Sequence, residues 1–183
     1  MSPTISHFIQ GDRIHLQKHT LSNAQTMFEM IDLDRVALQE FLPWVQKTNS
    51  VQDSETFIKI TQDCWSLNKA YEFGIYINDS NQYIGNIGAI NLDLDQKVCE
   101  IGYWLNSKYS GNGYMIEAVK TLEKQLFNLG FFRIEIRCIP KNIKSQAVAL
   151  NSGYVLDGVL RSNCILNNER RDSLVYSKLK SDL

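Results

Sequence analysis

Proline is scarce in this chain, at 3 of 183 residues, and glycine, at 10, recurs with no period. A collagen-like triple helix and a proline-rich disordered tract are therefore excluded. Cysteine is sparse as well. Cys64, Cys99, Cys138 and Cys164 lie far apart and no pair has the C-x-x-C spacing of a zinc or redox site, so four reduced thiols and no metal are expected. The three histidines, His7, His15 and His19, all fall within the first nineteen residues and read as surface or strand residues rather than catalysts. No apolar run approaches the ~20 residues that span a membrane. Met1–Arg13 lacks the basic start and apolar stretch of a secretion signal, and the cytoplasm is the expected compartment. An excess of one charge is missing too. Nineteen Lys+Arg against twenty Asp+Glu leave a formal charge of −1 and a pI near 6.3, so direct binding of nucleic acid is not expected.

What is present is ordinary for a globular chain: 44% hydrophobic and 21% charged residues in 21.0 kDa. At roughly 100–200 residues per domain, residues 1–183 are expected to form one domain whose core needs no metal or disulfide. Ile14 and Leu16 alternate with polar neighbours as a first strand. A helix is expected from about Asn23, capped by Ser22 and burying Ala24, Met27, Phe28 and Ile31, with a short one over 34–41 stopping before Pro43. Asp53 or Ser54 is placed to cap a third, which carries Phe57, Ile58, Thr61, Cys64 and Trp65. From Tyr71 the period drops to two. Residues 71–77, 83–90 and 98–105 read as an antiparallel meander broken by polar turns. The second half then gives a helix ending near Leu129 before Gly130, a strand over 131–139, a short helix over 143–152, and strands over 154–166 and 173–179 that pair around Asn167-Asn168. Strands and helices alternating after a meander predict a mixed sheet in an α/β (α+β) domain.

The chemistry lies in Ser107-Lys108-Tyr109-Ser110-Gly111-Asn112-Gly113, between a strand and a helix. A helix start leaves about four amide N–H groups unpaired and carries roughly half a positive charge. Gly111 and Gly113 give an anion room to approach, Ser110 and Asn112 add donors, and Lys108 adds a cation. A bare G-x-G also serves as a tight turn. The P-loop pattern is absent, and Ile116 stands where the dinucleotide fingerprint needs its third glycine. Spacing thus points to an anion site for something other than ATP or NAD.

At these residues the chain resembles the GNAT superfamily of N-acetyltransferases, whose diphosphate loop reads Q/R-x-x-G-x-G/A. Lys108 takes the Q/R position, keeping the charge but departing from the literal motif. Leu42-Pro43-Trp44, Glu100–Leu105, Asn142-x-x-Ser145 with Asn151–Tyr154, and Gly158–Arg161 with Asp172 and Tyr176 are similar to the RimJ/RimL branch, which acetylates ribosomal-protein N-termini. The resemblance implies a mostly antiparallel mixed sheet splayed into a V and flanked by helices. Residues 98–105 and 131–139 would form the two arms, with the pantetheine of acetyl-coenzyme A added like a strand between them. It also implies that the diphosphate sits on the N–H groups of Ser110, Gly111, Asn112 and Gly113. Trp104, Leu105, Lys108, Tyr114 and Asn142 would lie along the cosubstrate, and Ser145 near the thioester sulfur. Asn142 and Ser145 are equally good helix caps.

Two further positions follow from the resemblance. Glu100 shares a strand face with Gly102 and Trp104, and several relatives use an acid on this strand directly or through water, although an ion-paired glutamate reads equally well there. Trp44 would wall the acceptor pocket, or simply pack in the core. Some relatives carry a glutamate where Cys164 falls, so a base there is lost or shifted, and Cys138 lines the channel or is merely buried. No nucleophile–base pair is evident, which favours direct attack of a bound amine in a ternary complex. An N-terminal α-amine of a ribosomal protein is the expected acceptor and a homodimer the family-level expectation. A small amine acceptor, and a non-catalytic coenzyme A-binding module, remain the alternatives.

Overall fold

Residues 5–183 are described by a computed structural model. Its eight strands are β1 (Phe8–Gln10), β2 (Ile14–Lys18), β3 (Tyr71–Ile77), β4 (Gln82–Asp93), β5 (Val98–Leu105), β6 (Arg133–Cys138), β7 (Val155–Leu166) and β8 (Glu169–Leu179). They form one sheet in the order β1-β2-β3-β4-β5-β6-β8-β7. The α-helices are α1 (Ala24–Asp32), α2 (Arg35–Gln39), α3 (Val51–Ser66), α4 (Tyr114–Asn128) and α5 (Ile143–Asn151). Every neighbouring pair is antiparallel except β5 and β6, which run parallel.

Two-residue alternation sends each strand's side chains to two cores. Ile14, Leu16, Phe73, Ile75, Ile87, Ile101 and Ile134 join Met115, Val119 and Leu122 of α4 in the larger one. On the other face Tyr76, Tyr83 and Trp104 pack with Met27 and Ile31 of α1 and Ile58 of α3. A positive-φ Gly130 (98°) follows α4, and Asn167 and Asn168, at 51° and 63°, make the tight turn between β7 and β8.

Several boundaries differ from expectation. Ile14–Leu16 belongs to the second strand, because Phe8–Gln10 is too short to show a period. Ser22 does not cap α1; a single 3₁₀ turn, Leu21–Asn23, precedes the helix, and Asn23 Oδ1 accepts from the Thr20 amide at 2.8 Å. Helix α3 starts a turn early, at Val51, with Ser50 as its N-cap. Asp53 Oδ2 accepts from the Ser50 amide at 2.9 Å as the far member of a capping box, while Ser54 is buried. Phe131 and Phe132 precede β6, and β8 begins four residues upstream, in the exposed run Glu169–Asp172, whose two wet faces give no alternation to read.

The site is built where β5 and β6 separate. They pair only at Val98↔Arg133, Cys99↔Ile134 and Glu100↔Glu135. Beyond that, β5 runs to Leu105 against β4 alone, and β6 to Cys138 against β8 alone. One edge of residues 101–105 therefore faces an open wedge, as the V-shaped sheet requires.

Candidate active site

Gly111 (φ 81°) and Gly113 (φ 78°) both sit in the left-handed region that a Cβ disfavours, and Gly113 is the N-cap of α4. A methyl on Gly111 would meet nothing within 4 Å, so conformation rather than space demands glycine there. Among the described residues, the amides of residues 111–116 make no hydrogen bond, which leaves a run of donors at the positive end of α4. Two expected donors are spent inside the loop. The Ser110 amide donates to Ser107 O at 3.1 Å, and the Asn112 side chain to Tyr109 O and Ser110 O at 3.2 and 3.3 Å. The Lys108 ammonium stands 5.8 Å from the Tyr109 ring centroid.

A second cation braces the loop from the turn before β2. Arg13 donates to Asn112 O at 3.0 Å, pairs with Glu117 of α4 at 2.9 Å and lies 5.0 Å over the Tyr114 ring. Nothing local in the sequence marks Arg13, because its partners lie about a hundred residues away.

The loop opens into a cavity of about 760 Å³ lined by Trp104, Leu105, Ser110, Gly111, Gly113, Tyr114, Asn142 and Ser145. At its inner end the Ser145 hydroxyl shares a hydrogen bond of 2.9 Å with the Tyr103 hydroxyl. Asn142 caps α5, its Oδ1 accepting from the Ser145 amide at 3.1 Å, and so fixes that hydroxyl in place. Burial raises the Tyr103 phenol well above its ordinary value, and Ser145 lowers it only in part, so Tyr103 stays protonated at neutral pH. Cys138 sits beside the pair, its thiol also raised by burial. Tyr103 is the residue that sequence reasoning passed over. It lies within the quoted Glu100–Leu105 segment, but only the strand's outward fan points its hydroxyl at Ser145.

The remaining site residues lie elsewhere. Glu100 does not line this cavity; it accepts from Asn91 at 3.0 Å and faces Arg137 at 3.7 Å, and burial raises its carboxyl above the usual range. Trp44 is also outside the lining, partly exposed, with its ring 6.2 Å from that of Trp104.

The acetyltransferase (GNAT) domain family matches residues 13–155. The ribosomal-protein-serine acetyltransferase of Escherichia coli is 27% identical over 170 residues, covering 92% of this chain and 94% of its own. Among solved structures, the microcin self-immunity acetyltransferase MccE, in complex with acetyl-coenzyme A and AMP, is 30% identical with a TM-score of 0.88, covering 92% and 93% of the two chains. RimL, a ribosomal α-N-protein acetyltransferase in complex with coenzyme A, shares the fold at a TM-score of 0.89 and 22% identity, covering 94% and 97%. A splayed sheet, a free-amide loop at a helix start and a family match over most of the length agree: the chain belongs to the GNAT acetyltransferases and uses acetyl-coenzyme A.

Proposed function

We propose that this protein acetylates the N-terminal α-amine of a ribosomal protein in the cytoplasm, by direct attack of the amine within a ternary complex. The observation that carries the chemistry is the Tyr103–Ser145 hydroxyl pair at the inner end of a cavity whose outer wall is the free-amide loop. The relative of E. coli named for acetylating a ribosomal-protein serine supports the acceptor.

Acetyl-coenzyme A supplies an activated carbonyl on a thiol leaving group of pKa ~8.5. The chain's own residues do the rest. Amides 111–116 hold the diphosphate. The open edge of residues 101–105 supplies backbone groups for the pantetheine amides, as a strand edge does for an added strand. Ser145 and the protonated Tyr103 donate toward the departing sulfur, which lowers the cost of charge developing there. An α-amine, with a pKa near 8, loses its proton near neutral pH far more readily than a lysine at ~10.4.

Intact-mass comparison of ribosomal proteins from cells with and without this protein tests the reading. One protein gaining a single acetyl group, localised to its first residue, is expected; no mass difference overturns the assignment of acceptor. The MccE structure, in complex with acetyl-coenzyme A and AMP, favours a second reading in which the acceptor is a small nucleotide-linked amine. Free-thiol release with small amines and none with N-terminal peptides would select it.

A further inference from the structure

The sheet face opposite Tyr103 carries a row of unusual composition beside the wedge. Glu72 pairs with Gly88, and Gly88 with Gly102, so three adjacent strands contribute one carboxylate and two glycines in register. The next row holds Asn86 opposite Trp104, and the row on the other side Ile90 opposite Glu100. Between them runs a floor without side chains. The Glu72 carboxylate lies across Gly88, where a methyl would collide with it, whereas a methyl on Gly102 would meet only Ile90 Cδ1, at 3.4 Å. With strands ~4.8 Å apart, the carboxylate ends about one strand spacing from Gly102, at the lip of the wedge.

Its setting suits a working acid rather than a structural ion pair. Asn86 Nδ2 donates to Glu72 Oε2 at 2.6 Å, and Asn86 Oδ1 accepts from His19 Nε2 at 2.6 Å. His19 is buried and held neutral, its pKa lowered to about 4. Tyr76 and Tyr83, both raised by burial, are the other titratable groups alongside, with Glu100 one row away; from α3 the Trp65 indole donates to Glu72 O, and the uncharged Phe57 and Gln62 reach His19. Among the described residues no lysine or arginine pairs with Glu72. Glu100, by contrast, already faces Arg137.

We propose that Glu72 forms the acceptor subsite: it binds the ammonium of an unbranched primary amine, such as the N-terminus of a residue with a small side chain, on the Gly88–Gly102 floor and removes its first proton. The inference rests on the acetyl-transfer reading above. Glu72 takes one N–H proton from the ammonium. The freed lone pair forms the N–C bond to the thioester carbonyl as the C–S bond breaks. The second N–H proton ends on the thiolate through the Tyr103 and Ser145 hydroxyls, and Glu72 returns its own to solvent. Burial, which pushes the Glu72 carboxyl up to about 7, matches it to that exchange.

Glu72→Gln, which keeps the shape and an acceptor for Asn86, is the test. The acceptors are peptides starting with serine or alanine, and spermidine. For whichever is acetylated, kcat/KM should fall ~100-fold or more while calorimetric acetyl-coenzyme A affinity stays within about twofold. The acidic limb of kcat/KM against pH, with its midpoint near 7, should flatten. Methylammonium chloride, added to the coenzyme A complex, should move the carbon-13 titration of the Glu72 carboxyl to lower pH even if no peptide is turned over. Unchanged kcat/KM and acidic limb in the variant, or a titration that methylammonium leaves in place, overturns the subsite. Turnover of spermidine alone with a strong Glu72→Gln effect would instead refute the N-terminal acceptor and keep the subsite.

Discussion

At the scale of single residues, two hydroxyls and one buried chain of polar groups decide the behaviour. If Tyr103 protonates or hydrogen-bonds the leaving sulfur, Tyr103→Phe should lower kcat roughly 10- to 100-fold and leave acetyl-coenzyme A affinity nearly intact. Because it acts as a unit with Ser145, the double variant with Ser145→Ala should cost little more than either alone. Single-turnover kinetics with calorimetry would check both; additive losses would break the pairing. The His19–Asn86–Glu72 chain gives a pH signature. Burial lowers His19 from 6.5 to about 4, so its contribution is present above pH 6.5 and lost as pH falls toward 4. Burial raises Glu72 from 4.5 to about 7, so its contribution is present below pH 4.5 and lost as pH rises toward 7. Over the shared window, unfolding merely moves a proton from Glu72 to His19, and the two dependences cancel. Glu72→Gln removes one of them. Its stability, by urea denaturation, should fall on acidification from pH 6.5 to 4.5 more steeply than that of the unaltered protein.

At the scale of elements, the loop before α4 and the parting of β5 from β6 make the site. Valine at Gly111 or Gly113 must adopt a positive φ, at a cost of roughly 1–2 kcal/mol or more. The cost falls on a loop at the surface, so the molecule should still fold while acetyl-coenzyme A affinity drops at least ~10-fold as the amides turn away. Gly158→Ala, where a methyl meets nothing within 4 Å and φ is not positive, is the matched control and should bind normally. Arg13→Gln should give an intermediate loss, since it releases Asn112 O and Glu117 yet leaves both glycines in place. Titration calorimetry on the four variants checks the order.

At the scale of the whole molecule, a buried ion pair ties the C-terminal strand β8 to α4. Lys178 of β8 reaches Glu123 at 2.6 Å and Ser152 O, just after α5, at 3.0 Å, with both charged side chains largely buried. Lys178→Met leaves Glu123 inside without its partner and should destabilise the fold by about 3–5 kcal/mol, whereas the double change with Glu123→Leu should recover much of that loss. Thermal unfolding of the single and double variants decides it; equal losses would mean the pair is not coupled.

How much of this the chain wrote into its own order follows from what is local. The loop, with its two positive-φ glycines, the Asn142 cap three residues before Ser145 and the Asn167-Asn168 turn are set by neighbours within four or five residues, so their spacing was enough to place them. The amphipathic period of α4 and the strict alternation of β6 likewise fix which face is buried, because side-chain direction follows the backbone period. Strand ends in exposed hairpins did not read out, since residues 169–172 meet water on both sides. Nor did Arg13 against Asn112, Tyr103 against Ser145, or Glu72 across Gly88. Each of those joins segments brought together only by the sheet's register and its splay, and no short-range pattern encodes a distance between strands that are far apart in the chain.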